Sequence, residues 1–420
     1  MAGGRFAPIL SWIDDQHPRM VELVRAWASI NTGSLNVFGL RRLSEQVLQT
    51  AQRLGGEVQQ VPLPAYEVID DAGQTQRYPL AEALVIRKRP AAPIQVLLAI
   101  HLDTVYGPEH PFQRVEQPSP DILHGPGVAD AKGGLVVLLT ALEALERSED
   151  AERIGWELIL NPDEELSSPG SAALLTQAAK RHHVGLVFEP ALPDGKLVSQ
   201  RKGSVNYTLV VRGRAAHAGR DPEHGRNAIH AMAKLISRLD ALRQQMPEVV
   251  VNVGRIAGGG PVNVVPDLAV ARLNIRAQQM QQIRAIEDRL RRWMHELNQE
   301  EGFSAELREQ PSVPPKLMDE PMRALLEQVR ACGQELGLSI DWRPSGGICD
   351  GNRLAAAGLP TLDTLGPCGG EIHSEQEYLL LPSLTQRVKL AAMLMMKYAA
   401  GELGPPTPSA DGVDIKRSRG

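Results

Sequence analysis

The sequence predicts an α/β protein whose main domain holds a sheet with crossover helices and carries a smaller α+β domain inserted into it. Three observations carry this. The 420 residues exceed what one ordinary hydrophobic core organises and point to two or three folding units. Over about residues 20–200, helical patterns alternate with short apolar runs, the pattern of a sheet covered by helices. After Arg201-Lys202-Gly203 the order becomes β-α-β-β-α-β, the split βαβ unit of a small sandwich domain, before helical patterns resume.

The spacing predicts helices over 18–30, 40–54 and 133–146. The runs IQVLLAI (94–100), WELIL (156–160) and VGLVF (184–188) lack alternation, as strands buried on both faces do, and are expected at the sheet centre. In the insert, VNYTLVVRG, VVVNVGRI, LAVARLNIR and FSAELRE read as strands, and 227–245 and 280–300 as helices. QPSVPPK (310–316) is a proline-rich return linker, because proline lacks the donor that helix and sheet need. Beyond it, MRALLEQVRACGQELG and 384–399 read as helices around a short strand in LPTLDTL. The expected division is 1–203 with 314–403 as one domain and 204–313 as the insert; the polar tail 404–420 is expected to be disordered.

With 43% hydrophobic and 23% charged residues, the composition is that of a globular protein. The net charge of -5, with Lys and Arg scattered, leaves no basic stripe for a phosphate backbone, so a small-molecule substrate is expected rather than nucleic acid. Three cysteines without CxxC spacing argue against a disulfide framework and against a cysteine zinc site. The first twenty residues carry acids where a signal peptide needs an apolar run, and no stretch has transmembrane length; a cytoplasmic protein with no membrane partner is expected.

In open α/β sheets ligands collect beyond the carboxyl ends of the strands. His101 and Asp103 follow IQVLLAI, Asp163, Glu164 and Glu165 follow WELIL, Glu189 follows VGLVF, and His373 follows LPTLDTL within GGEIHSEQE. Asp130 lies in HGPGVADAKGG, just ahead of a helix. Two histidines and several carboxylates make a nitrogen and oxygen donor set, which suits zinc, with cobalt or manganese as alternatives. Carboxylates so clustered repel one another, and two divalent cations remove that penalty. Asp130, between the histidine-bearing arms, is the bridging candidate. Alone, an HxD is usually a loop, a DEE usually a solvated turn, and GPGVADAKGG only a turn and helix cap. The glycines at 125 and 127 lack the rest of a dinucleotide fingerprint. The joint order of these segments is what carries specificity.

That order, HLDTV, GPGVADAKGG, NPDEE, FEP, RAAHAG and IHSEQEY, resembles metallopeptidase family M20 over about residues 20–400. The family includes glutamate carboxypeptidases, acetylornithine and succinyl-diaminopimelate deacylases and aminoacylases. The resemblance implies a mixed-sheet, zinc-exopeptidase-like catalytic domain with a ferredoxin-like lid and dimerisation domain. It implies one ion held by His101, Asp130 and Glu189, a second by Asp130, Glu165 and His373, and Glu164 as general base. A metal-bound carboxylate is a poor base, which gives the adjacent glutamates different roles. Asp103 would accept the other ring N–H of His101 and fix its tautomer; Lys132 either orients Asp130 or is a plain surface or cap lysine. In the insert, His217 would stabilise the oxyanion, reaching the neighbour's metals in a dimer, while Asn263 and Arg276 would hold a substrate carboxylate. Gly346 and Gly347 of SGGICDGN would line the pocket.

The departures from the family are Asn274, where many relatives carry Asp, and Cys349, where many carry Ser. Glu189 rather than Asp leans toward carboxypeptidases and deacylases. The expected activity is metal-dependent hydrolysis of a small peptide or N-acyl amino acid beside a free carboxylate. A glutamate-type carboxypeptidase comes first, an N-acyl-amino-acid deacylase second, and a non-catalytic metal or amino-acid binding protein last. A homodimer is expected through an open edge formed by LAVARLNIR, with lid closure about residues 203 and 313.

Overall fold

The structure is a computed structural model and describes residues 4–406; most of the expected tail, from 407 on, lies outside the described residues. The main sheet has six strands in the order Glu57–Val61, Ala83–Lys88, Ile154–Asn161, Ile94–His101, Val184–Val187 and Thr361–Leu362. The last four run parallel, and the first two pair antiparallel, so the sheet is mixed. The three apolar runs sit at the centre, and every residue of Ile154–Asn161 is buried. The helix Gly134–Leu145, apolar nearly all round, is buried along its entire length, as that composition requires. It packs so closely that a Cβ on Gly134 would sit 1.9 Å from the carbonyl oxygen of Phe188, so only glycine fits where the helix crosses the strand end. The single polar carboxylate of this helix, Glu143, receives both Nη atoms of Arg19 at 2.7 Å.

The insert is a four-stranded antiparallel sheet in the order Val250–Gly258, Leu268–Ala277, Gly203–Arg212 and Ser304–Glu309. Alternate residues Val205, Tyr207, Leu209 and Val211 join Ala271, Leu273 and Ile275 in a second core beneath the helices Ala228–Gln245 and Met280–Asn298. One expectation fails here. The strand within LAVARLNIR is interior, paired to Gly203–Arg212 on one side and to Val250–Gly258 on the other. In a split βαβ unit the two right-handed crossovers place the first and third strands centrally, so the second strand, Val250–Gly258, forms an open edge.

Two features fix how the insert meets the main domain. The outgoing and returning chains run side by side, with backbone bridges Arg201 to Lys316 and Ser204 to Val313. Asp363, directly after Thr361–Leu362, receives Arg201 Nε at 2.9 Å and Lys316 Nζ at 3.0 Å. Further out, the hairpin Tyr66–Ile69 and Thr75–Tyr78 of the main domain lies over the open face of the insert sheet. Ile69 packs on Val210 and Val270, Asp71 pairs with Arg255 and Arg272, and Arg212 donates to the Gly73 carbonyl at 2.7 Å. Among the described residues, no helix is long and apolar enough to cross a membrane, and Cys332, Cys349 and Cys368 are buried, free thiols.

Candidate metal centre

The central strands deliver their terminal residues to one place. His101 closes Ile94–His101, the Asp163–Glu165 turn follows Ile154–Asn161, and Glu189 follows Val184–Val187. Asp130 enters from the loop ahead of Gly134–Leu145, and His373 from the loop after Gly369–Gly370. His101 Nε2 lies 3.0 Å from Asp130 Oδ1 and 3.7 Å from Glu189 Oε2. His373 Nε2 lies 3.3 Å from Asp130 Oδ2 and 3.2 Å from Glu165 Oε2. The two oxygens of Asp130 therefore face different histidines.

His101 Nδ1 is 3.0 Å from the backbone carbonyl of Asp103. A carbonyl only accepts, so Nδ1 carries a hydrogen and Nε2 is the ring atom aimed at Asp130 and Glu189. The Asp103 carboxylate stands beside the ring at 3.3 Å, but its main work is on the turn: Oδ1 accepts the Glu164 N–H and Oδ2 the Glu165 N–H, each at 3.1 Å, while Ser34 Oγ donates to Oδ2 at 2.7 Å. One carboxylate thus aims both glutamates.

The electrostatics are those of carboxylates crowded out of water. Burial, reinforced by the neighbouring Glu189 charge, pushes Glu164 well above the usual carboxylate range. Burial pushes Glu165 up to about 7 despite its hydrogen bond with His373. Hydrogen bonds to Asp130 and Glu165 push His373 up to about 11. For His101, burial opposes a charge, but Glu189, Asp103 and Asp130 together raise its pKa well above the ordinary value. Asp130 is held well below its usual range: His101 and His373 outweigh its burial. In the polypeptide alone, protons balance these charges. Glu165 Oε1 and Glu189 Oε1 are buried with no hydrogen-bond partner, an arrangement costing roughly 1–3 kcal/mol each unless another group meets them. The imidazole and carboxylate atoms of His101, Asp130 and Glu165 lie within 4.8 Å of one another. Donor chemistry, orphaned oxygens and spacing all fit a divalent cation.

The remaining expected residues fall into two groups. Arg276 donates from Nη1 to the Gly346 carbonyl at 3.0 Å and from Nε to Asn274 Oδ1 at 2.9 Å; Arg201 Nη1 reaches the Gly347 carbonyl at 3.4 Å. His217 and Asn263 lie together elsewhere on the insert, where the Ala218 N–H donates to the Asn263 carbonyl at 2.9 Å. His217 is exposed, its Nδ1 accepting the Gly219 N–H at 3.1 Å, and no hydrogen bond or ion pair joins it to the cluster among the described residues. Lys132 is no surface lysine: it is fully buried, its Nζ donates to the Ile30 carbonyl at 3.2 Å, and burial brings its pKa down to about 8. Cys349 is buried with Sγ 3.5 Å from Asp363 Oδ2.

Several supporting residues are given no role by the sequence pattern, although Asp163 stands among the acids that follow WELIL. Asp163 accepts the N–H groups of Gly170 and Ser171, and Asp350 receives Asn161 Nδ2 at 2.7 Å, bracing the turn from behind. Glu377 collects three N–H groups of the Asp130 loop. The nearest signal for these is that Asp350 and Glu377 lie inside SGGICDGN and IHSEQEY.

A mixed α/β sheet that presents this donor set beyond its strand ends defines the class: a metal-dependent hydrolase. The chain belongs to peptidase family M20/M25/M40, whose family model matches residues 97–397. Carboxypeptidase G2 of Pseudomonas sp. (strain RS-16) is 26% identical over 400 residues, 92% of this chain and 91% of that protein. The succinyl-diaminopimelate desuccinylase of Hahella chejuensis is 27% identical over 370 residues, 83% of this chain and 88% of that protein. The same fold occurs in a Bacillus subtilis protein described as a dinuclear metal binding peptidase from the M20 family, with a TM-score of 0.63, 17% identity, and coverage of 92% of this chain and 99% of that one.

Proposed function

We propose that this chain hydrolyses a peptide or N-acyl amide bond beside a free carboxylate. It would use two divalent cations, zinc first, one held by His101, Asp130 and Glu189 and the other by Asp130, Glu165 and His373. The observation that carries the reading is that Asp130 turns Oδ1 to His101 at 3.0 Å and Oδ2 to His373 at 3.3 Å, the disposition of a carboxylate shared by two ions. Bound divalent cations supply Lewis acidity toward the scissile carbonyl and a water nucleophile at neutral pH.

Glu164 is the base in this reading. Its side chain has no hydrogen-bond or ion-pair partner among the described residues, whereas Glu165 faces His373. Burial raises the Glu164 pKa, which makes the carboxylate a stronger acceptor for the proton it takes from water and returns to the leaving nitrogen. Arg276, backed by Asn274 and the Gly346 carbonyl, reads the substrate carboxylate, with Gly346 and Gly347 lining the pocket, and Asn263, which lies with His217 on the insert, would join Arg276 in holding that carboxylate.

The likeness to carboxypeptidase G2 over 92% of this chain supports a glutamate-type carboxypeptidase. The desuccinylase likeness favours the second reading, an N-acyl-amino-acid deacylase, in which the same atoms act on an acyl group. The division into a catalytic unit, 1–203 with 314–403, and a lid, 204–313, belongs to the same proposal, supported by the two cores and the paired connections at Arg201 and Lys316. So does a homodimer through the open edge Val250–Gly258, which exposes Val250 and Ile256 and would bring His217 to a partner's oxyanion. Three free thiols support a cytoplasmic location.

The test is a metal assay joined to a substrate screen. Purified protein should contain divalent metal, lose turnover with chelator, regain it with zinc or cobalt, and cleave peptidyl or N-acyl amino acids. Glu164→Ala should lose roughly 10²- to 10⁴-fold in kcat with both metals retained. Loss of a metal in Glu164→Ala but not in Glu165→Ala would reverse the two roles, and full activity of metal-free protein would end the proposal.

A further inference from the structure

We propose that Glu377 is a positioning residue that locks the Asp130 loop to the His373 loop, so that one buried carboxylate sets both arms of the cluster. The proposal rests on the reading of Asp130 and His373 as metal ligands. Glu377 is 1% exposed. Its Oε2 accepts the Gly127 N–H at 3.1 Å, and its Oε1 accepts the N–H groups of Ala129 and Asp130, each at 3.0 Å. Its own carbonyl accepts the Gly125 N–H at 3.2 Å.

These contacts replace what regular structure would give. Asp130 (φ -116°, ψ 89°) and Ala131 (φ -134°, ψ 25°) depart from helical geometry just before the helix Gly134–Leu145. Helix bonding therefore does not hold this loop, and several of its N–H groups point one way; such a nest needs an anion. Glu377 supplies it from a segment 247 residues away in sequence. Four positions earlier on that segment stands His373, and Ser374 between them is fixed by the Tyr106 hydroxyl, which donates to its carbonyl at 2.8 Å. His373 itself is half exposed, and besides its own contact with Asp130 and the pairing of Tyr378 with His124, the three bonds to Glu377 tie its loop to the Asp130 loop. Both Glu377 oxygens are spent on backbone donors, so the residue holds a ligand rather than being one.

The discriminating comparison is Glu377→Gln against Glu377→Asp in the full chain. Gln has the shape of Glu, but its amide nitrogen would face an N–H donor and lose at least one bond. Asp keeps the charge and loses one methylene. Zn²⁺ affinity of the chelator-stripped protein, measured by competition with a chromophoric chelator, should fall about 10- to 100-fold in Glu377→Gln and less in Glu377→Asp. Hydrogen exchange of residues 125–133 should quicken in the same order, and kcat should fall with KM unchanged, because Arg276 and Gly346 sit on other elements. Leu390→Ala, in the buried helix Pro382–Ala400, should lower Tm and leave Zn²⁺ affinity unchanged.

Wild-type affinity and exchange in Glu377→Gln would overturn the proposal. So would a better result for Gln than for Asp, since only packing rewards shape over charge. If Glu377→Gln does not accumulate as folded protein, Glu377→Asp decides alone: unchanged affinity overturns the proposal, and a loss together with faster exchange at 125–133 supports it. A wild-type protein that binds no Zn²⁺ would instead remove the ligand reading on which the proposal stands, a result the comparison reports separately.

Discussion

Asp363→Ala would remove the carboxylate on which both interdomain connections converge. Asp363 and Lys316 are fully buried and Arg201 nearly so. The carboxylate lies 2.9 Å from Arg201 Nε and 3.0 Å from Lys316 Nζ. At an effective dielectric constant near 20, each contact has a Coulomb attraction of roughly 5 kcal/mol, most of which the cost of burying three charges offsets. The intact cluster is therefore a modest source of stability. Its removal is a different matter, because two cations stay buried and, among the described residues, Lys316 Nζ keeps only the Val198 carbonyl at 3.1 Å. Breaking such a cluster costs about 3–5 kcal/mol. Burial already lowers the Lys316 pKa, so that residue can shed its proton and bring the cost toward the lower end. For a unit of roughly 290 residues the loss corresponds to a fall in Tm of about 5–8 °C by calorimetry. Asp363→Asn, which keeps the acceptor, should lose less, and adding Lys316→Met to Asp363→Ala should recover part of the loss. A change below about 1 kcal/mol, with no coupling to Lys316, would show that these charges are solvated and the reasoning wrong.

Other outcomes follow from single contacts. Burial alone would raise the Glu157 pKa, but hydrogen bonds from Arg181 and Arg87 hold it below the ordinary value; its stabilisation is therefore present above about pH 4.5 and lost as pH falls through the folded value. Wild-type Tm should drop more steeply with acid than that of Glu157→Gln, and equal slopes would refute the pairing. Arg276→Ala should reduce kcat/KM for a free-acid substrate roughly 10- to 100-fold and change little for its amide, while equal turnover of acid and amide by the wild type would exclude a carboxylate-reading role. Inactive His217→Ala and Glu164→Ala homodimers, mixed under conditions of subunit exchange, should recover up to about a quarter of wild-type activity if His217 acts across a two-fold interface. No recovery despite demonstrated exchange would place His217 in cis or outside the reaction.

The parts of the fold that were legible in the sequence are those whose burial is two-sided or strictly periodic. IQVLLAI, WELIL and VGLVF read as central strands because neither face meets water, and the strands and helices of the insert were legible from β-branched apolar runs and from the helical repeat of residues such as Ile283, Ile286, Leu290 and Met294. The strand Glu57–Val61 is almost wholly exposed and polar, and the hairpin Thr75–Tyr78 likewise, so neither carries a hydrophobic pattern. The edge of the insert was misplaced because strand order depends on crossover handedness and on pairings between residues some sixty apart, which no local pattern encodes. At the site, His101, Glu165 and Glu189 were legible because each ends a recognisable strand. Glu377, Asp350 and Asp363 act on backbone N–H groups, on buried side chains or on two cations that only the folded chain assembles.

Charge balance gives the reason the cluster calls for two cations rather than one. Asp130, Glu164, Glu165 and Glu189 are four carboxylates in a space where burial opposes ionisation of each. Two divalent cations match four negative charges and leave His101 and His373 neutral, with their Nε2 lone pairs free to bind. In the proposed reading a single ion would leave two charges for protons to cover, and the groups whose pKa values are raised in the polypeptide alone are the ones that would take them: the two histidines, the proposed ligand Glu165 and the proposed base Glu164. On the proposed reading a singly loaded site would keep protons on the groups that hydrolysis needs free, so activity should track occupancy of the second ion rather than the first.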